Sequence, residues 1–423
     1  MKMELLNVFL DILATPAILV GVFALIGLLL QKKEVSQVIS GTLKTVLGFI
    51  LITAGGNVII SSLDVFGQMF NRAFSISGVI PNNEAIVAVA QSTFGTQTAL
   101  IMVFGMVVNL ILARFTPLKF VFLTGHHTLF MACLIAVILS TAGLNGALLV
   151  IVGSVILGIL MVVSPAILFP YVRKITGSDD FAVGHFGSVG YLVAGAVGKW
   201  TGDKSKSTES IKVPKQLGFL RDTSVAVSLT MAILFIVVAL FTGSGYIESQ
   251  LSDGQNYLVY SLIQAITFAA GVYVVLAGVR MLIGEIVPAF KGFAEKLVPD
   301  AKPALDCPTV FPFAPNAVII GFLSSFVAGL VSMFVLPLFG LRVIVPGLVP
   351  HFFTGATAGV FGNATGGRRG AILGAFANGL IISFLPALLL PALGDLGFRE
   401  TTFGDADFGV VGLILSFLAD FFS

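Results

Sequence analysis

Residues 303–336 read PALDCPTVFPFAPNAVIIGFLSSFVAGLVSMFVL. Pro303, Pro308, Pro312 and Pro315 break the front of this stretch. Each proline lacks an amide donor and clashes with the preceding turn, so no regular helix runs through them. Residues 317–336 are then apolar and long enough to cross a bilayer core, which takes about 20 residues. Asp306 stands at the mouth of the broken piece. Non-helical backbone survives at membrane depth only where it is buried in protein or lines a wet cavity. A short interrupted segment bearing a carboxylate, leading into a span, is the pattern of a solute pathway.

The composition agrees. Of 423 residues, 57% are hydrophobic types and 10% are charged, 23 basic and 21 acidic. Mean hydropathy is +1.04. A soluble domain carries about 25% charge, so these side chains cannot coat a water-facing surface. A soluble enzyme, a nucleic-acid binder and a disordered chain are excluded, and the net charge of +2 leaves no footprint for a polyanion. Forty-seven glycines and 38 phenylalanines suit close helix packing in lipid. Cys133 and Cys307 lie in apolar surroundings, with no disulfide framework or metal spacing.

Working outward from 303–336, residues 1–15 read as a surface lead-in helix. Lys2 is followed by no small-residue cleavage site, so the first span, 16–30, is retained. Further spans fall at 44–63, 96–112, 117–142, 146–170, 225–242, 257–276, 343–360, 372–393 and, shorter, 408–421. The pieces 64–81 and 280–298 are amphipathic, 82–95 is too polar and short to span, and 181–197 is soft and glycine-rich. The reading is an all-α polytopic membrane protein of ten or eleven spans with several broken pieces. The basic loop 199–222, with Lys199, Lys204, Lys206, Lys212, Lys215 and Arg221, is placed in the cytoplasm with Lys32 and Lys33.

Matching halves are visible in three places. Lys44, Gly48 and Gly56 have the spacing of Arg280, Gly284 and Gly292. Phe94, Gln97 and Thr98 have that of Phe313, Asn316 and Ala317. Leu118-Lys119 answers Leu341-Arg342. The order is kept, which predicts an internal repeat over about 15–142 and 257–365.

The four histidines, His126, His127, His185 and His351, all lie in apolar or glycine-rich sequence. Each either packs between helices or faces a polar site; four of four favours the site. His126 and His127 are adjacent and expected to point apart on a helix, so no metal site is read. Asp306 either binds a solute, proton or cation or caps the piece that follows, and Glu84 has the same ambiguity. Gln97 and Asn316 occupy matching places before spans, where an amide either recognises hydroxyls or caps a helix. Glu285 reads as a packing partner of Arg280. Gly55-Gly56-Asn57 allows close approach of a helix or a ligand. No motif for nucleophilic catalysis, nucleotide binding or a cofactor is present.

Several stretches taken in order resemble a known family. They are Ser40-Gly41-Thr42-Leu43-Lys44, Leu123-Thr124-Gly125-His126, Val183-Gly184-His185, Leu305-Asp306-Cys307, Phe313-Ala314-Pro315-Asn316 and Pro346-Gly347-Leu348-Val349-Pro350-His351. From about residue 15 to the end the chain resembles the membrane subunit (EIIC) of the bacterial ascorbate-specific phosphotransferase system. That resemblance implies eleven spanning helices with re-entrant half-helices, two inverted repeats, a mobile core on a V-shaped scaffold that dimerises, and elevator-type transport in the bacterial cytoplasmic membrane. It implies uptake of L-ascorbate or a related sugar acid, with phosphorylation by a separate EIIB phosphocysteine fed through EIIA. The chain then needs no phosphorylated residue and no cofactor of its own. The family's binding positions fall on His126, His185, Asp306 and Asn83. Two positions depart: Phe130 and Phe186 stand where ascorbate-type members have glutamines, which removes hydrogen bonds to a polyhydroxylated ligand. An ion-coupled transporter on the same scaffold, using Asp306 or Glu84, is the alternative; a membrane enzyme or channel has only the polar membrane residues in its favour.

Overall fold

A computed structural model describes residues 15–75, 78–211, 223–296, 298–398 and 401–422. The expected lead-in helix at 1–15 and half of the basic loop (Lys212, Lys215, Arg221) lie outside the described residues.

The chain opens with α1 (Pro16–Leu30) and α2 (Val35–Phe74), followed by β1 (Ile80–Pro81) and α3 (Asn83–Phe115). Next come β2 (Phe120–Phe122), α4 (Gly125–Thr141), α5 (Gly146–Thr176), β3 (Ala182–Val183) and α6 (Ser188–Thr201). The second part holds α7 (Thr223–Thr242), α8 (Ser244–Gln250), α9 (Tyr257–Lys296), β4 (Lys302–Leu305) and α10 (Pro315–Val335). It ends with α11 (Leu348–Leu389), β5 (Thr401–Thr402) and α12 (Ala406–Phe422).

Among the described residues six helices are long and apolar enough to cross a membrane. A seventh crossing results if the pair Met231–Thr242 and Ser244–Gln250, bent by 103°, counts as one span. The chain is a multi-pass helical membrane protein. Several helices are longer than the sequence suggests, because amphipathic pieces continue the spans beside them, and three shorter apolar helices, Gly21–Leu30, Gly125–Thr141 and Ala406–Leu418, accompany the long ones. Residues 44–63 and 64–74 form one rod, α2, of 40 residues. At about 1.5 Å per residue it reaches roughly 60 Å, twice the hydrocarbon thickness. No proline interrupts it, and Ser75 in the left-handed region (φ 50°) stops it. Likewise 82–95 is no separate piece but the front of α3, and 280–296 continues α9 through Pro288. In contrast α11 is two arms, broken at Gly367 (φ 58°). There the loop after α6 clamps the break: Arg368 N donates to Lys206 O at 2.9 Å, and Asp203 N donates to Gly366 O at 2.9 Å.

α2 and α9 pack antiparallel along a glycine seam. A Cβ on Gly55 would come within 2.7 Å of Gly271 O, and one on Gly278 within 2.8 Å of Gly48 O. Small residues let two helix backbones approach this closely in lipid. Lys44 Nζ meets Glu285 Oε1 at 3.1 Å at one end of the seam, so Glu285 pairs across the helices and not with Arg280. Ser62 Oγ donates to Gln264 O at 2.7 Å toward the other end.

The fold is not wholly helical. β4 lies between β2 and β3, all three parallel. β1 pairs in parallel with β5, and Val79 just before it bridges Ile344. Each small sheet thus joins strands from both halves of the chain, and in the three-stranded one the middle strand comes from the second half and its flanks from the first. The proline-broken segment is β4 followed by a 3-10 turn over Cys307–Phe313. Asp306 caps that turn, its Oδ1 accepting from Cys307 N at 2.6 Å. Outside the spans, Lys302 Nζ lies 3.3 Å from Asp179 Oδ2, and its hydrogen bond holds that carboxyl below the usual range.

Candidate functional site

The strands explain how residues remote in sequence meet. Parallel strands present their carboxyl ends on the same edge. β2 leads to His126 and His127 in the first turn of α4, β3 to His185, and β4 to Asp306. In the other sheet β1 leads to Asn83 and β5 to Asp405, again on a shared edge. All six side chains line one cavity of about 580 Å³, closed on its far side by Phe49, Thr53 and Asn57 of α2.

Asp306 is the hub. Its Oδ2 lies 3.4 Å from His126 Nε2 and its Oδ1 3.9 Å from His185 Nε2. The Nδ1 of His185 is hydrogen-bonded to Tyr191 Oη at 2.9 Å, which fixes the ring and leaves Nε2 toward the carboxylate. Behind them His127 is buried; its ring centroid is 3.8 Å from that of His185, and its Nε2 lies 4.0 Å from Asp405 Oδ2. Asn83 ties this layer together: Nδ2 donates to Asp405 Oδ2 at 2.9 Å, and Oδ1 accepts from Gly404 N at 2.8 Å. Next to it Asp407 accepts from Ser188 N, Ser188 Oγ and Val189 N, capping α6 from the start of α12.

His126 and His127 do not point apart. Successive helical positions diverge by about 100°, but these two occupy the first turn, where no earlier turn fences the rings, and their centroids are 4.8 Å apart. The donor atoms of His126, His127 and Asp306 lie within 4.8 Å of one another, as do those of His127, His185 and Asp405, and of His185, Asp306 and Cys307. Zinc with bonds of 2.0–2.1 Å would need its tetrahedral ligands roughly 3.4 Å apart. His126 Nε2 and Asp306 Oδ2 stand at that spacing, and the same atoms are equally placed to hydrogen-bond an inserted ligand.

Not every expected residue is in the cavity. Gln97 sits along α3 in a shallow apolar groove with Leu100 and Phe104. Asn316 is occupied at the start of α10, its Nδ2 donating to Thr208 O at 3.3 Å. The side chain of Glu84 lies outside the described residues. Of the two phenylalanines, Phe130 lines the cavity, whereas Phe186 is 1% exposed and stacked on Phe122 at 4.9 Å. Asp405 was not singled out in the sequence, although Gly404-Asp405-Ala406-Asp407 opens an apolar run much as Leu305-Asp306-Cys307 does.

The model of the family described as PTS system sugar-specific permease component (EIIC-GAT) matches residues 11–407. The chain belongs to this permease family. A curated relative, the ascorbate-specific PTS system EIIC component of Mycoplasma pneumoniae, is 28% identical over 424 aligned residues. That alignment covers 87% of this permease and 64% of the relative, so the chain spans less than two thirds of the relative's length. The permease match includes every strand end that carries a cavity residue.

Proposed function

We propose that this permease binds L-ascorbate or a closely related sugar acid in the cavity and carries it across the bacterial cytoplasmic membrane. A separate EIIB subunit, charged through EIIA, then phosphorylates it. The carrying observation is the convergence of His126, His185 and Asp306 from three strand ends on one cavity. Imidazole nitrogens and a carboxylate complement the donors and acceptors of an enediol or vicinal hydroxyls. Asn83 and Asp405 brace the back of the site and Phe130 supplies an apolar wall.

In this reading the two halves are inverted repeats. The antiparallel run of α2 against α9, both 40 residues long, supports it, as does the exchange of strands between the sheets. The strand-borne cluster belongs to a moving core, while α2 and α9 belong to a scaffold that pairs with a second copy. Phosphorylation traps the product inside, so the membrane unit needs only to bind, enclose and release.

Purified protein and its His126→Ala and Asp306→Ala variants test this by thermal shift with L-ascorbate. A ligand at 100 times Kd adds about 2.7 kcal/mol, a shift expected in the wild type and lost in both variants while assembly is kept. Wild-type affinity in the Asp306→Ala protein would refute the site. Uptake that collapses with a protonophore yet survives loss of the general phosphotransferase proteins would instead make Asp306 an ion site.

A further inference from the structure

A second cavity of about 300 Å³ lies on the other side of the turn that carries Asn83. Its polar lining is Asp64, Gln68 and Asn71 of α2 with Asn82 of the turn, over an apolar floor that includes Phe70 and Phe326. Val349 lines both cavities, and the turn gives Asn83 to the first and Pro81 and Asn82 to the second, so a thin partition divides them.

The two cavities share one face of one helix. Thr53 and Asn57 line the first; Asp64, Gln68 and Asn71 line the second. At 100° per residue these five positions fall within about 60° of one another around α2. Thr53, Asn57, Asp64 and Gln68 are exposed and Asn71 half-buried, in a helix apolar enough to cross a membrane. α2 is about twice as long as the hydrocarbon core is thick, so it carries this face from the first cavity beyond its apolar stretch, and Asp64, Gln68 and Asn71 there line the second cavity.

We infer that this stripe is a wet track and that Asp64, Gln68, Asn71 and Asn82 form a second subsite at its far end for the same hydroxyl-rich ligand. The inference rests on the proposed function. The amides of Gln68, Asn71 and Asn82 offer donors and acceptors to the hydroxyl groups of such a ligand. Asn57 and Gln68 are separated by about 16 Å along the axis at 1.5 Å per residue, and on this face only Ile60 stands between Asn57 and Asp64, so the ligand passes one apolar side chain on its way from the histidine cluster to the second set. Passage requires the partition of Val349 and the turn to move relative to α2.

The test is thiol accessibility in the full-length protein in membranes, on Asn57→Cys, Gln68→Cys and Asn71→Cys, with Val65→Cys as an off-stripe control. The native Cys133 and Cys307 are buried and give little background. A hydrophilic methanethiosulfonate reagent should modify the three stripe positions at least tenfold faster than the control, and L-ascorbate should slow modification at Gln68→Cys and Asn71→Cys severalfold. Unreactive Gln68→Cys and Asn71→Cys would overturn the track. Protection by ascorbate at Asn57→Cys without any at Gln68→Cys would overturn the second subsite and leave the proposed function standing. Protection at none of the three would overturn the subsite and count against ascorbate as the ligand.

Discussion

Phe130 and Phe186 occupy related places in the sequence, each close behind a histidine, yet they meet different surroundings. Phe130 borders the cavity with its ring 5.8 Å from that of His126. Phe186 is sealed between Phe122, His127 and Phe408. Phe130→Gln therefore places an amide against the ligand, and one added hydrogen bond of about 1 kcal/mol should tighten ascorbate binding roughly fivefold in a calorimetric titration. Phe186→Gln buries an amide in a packed apolar site at a cost of about 2 kcal/mol, so it should lower the melting temperature without improving binding. A gain in affinity from Phe186→Gln alone would contradict this packing. His126, His185 and Asp306 were legible as polar groups in apolar sequence. Asp405 was not, because a carboxylate opening a terminal helix also reads as an ordinary cap. Gln97 and Asn316 misled for the converse reason: a matching place before a span says nothing of which face the amide takes.

Among elements, the α2–α9 pair shows what a glycine-rich helix hides from sequence reading. Gly55 and Gly56 are neighbours, and nothing in the chain says which one touches another helix. The structure separates them: a Cβ on Gly55 runs into the backbone of α9, whereas one on Gly56, which faces the cavity, meets nothing within 4 Å. Gly55→Val should force the rods apart and cost about 1–3 kcal/mol as overpacking, seen as loss of monodisperse protein or a lower melting temperature. Gly56→Val should leave the fold intact and reduce ligand binding by crowding the cavity. Equal behaviour of the two variants would argue against the seam. Helix ends were also hard to read. The amphipathic ends of α2, α3 and α9 lack apolar runs, and hydropathy alone cuts them off. Breaks made by proline or by Gly367 were plain wherever the chain itself cannot continue a helix.

Taken whole, the molecule carries a cluster of cations where α6 meets the break in α11. Lys199, Lys204, Lys206, Arg368 and Arg369 are exposed there, and Trp200 is 87% exposed beside them. Basic residues near span ends favour the cytoplasmic side and tryptophan favours the interface. Lys204→Cys should react with an impermeant thiol reagent in inside-out vesicles and not in right-side-out vesicles; the reverse pattern would invert the topology. The broad class needed only the scarcity of charge. The matching halves were detected through short patterns, some of which pair unlike places: Gly48 packs on the backbone at Leu282, while Gly284 has open space. Three-residue matches recur easily in a chain with 47 glycines, whereas strand partners depend on contacts across more than one hundred residues.

The crossed sheets also bear on how such a protein is made. Val79–Pro81 leaves the ribosome early, but its partners are Ile344 and Thr401–Thr402. β2 and β3 likewise wait for β4 to be synthesised. Backbone amides and carbonyls near the cavity therefore stay unpaired through most of translation, in a solvent that supplies few substitutes. Neither half can close on its own: the histidine–Asp306 cluster waits for β4, and its bracing by Asp405 comes only with the end of the chain. A truncation anywhere before residue 401 leaves a nascent membrane protein with an open strand edge, a natural target for quality-control proteolysis.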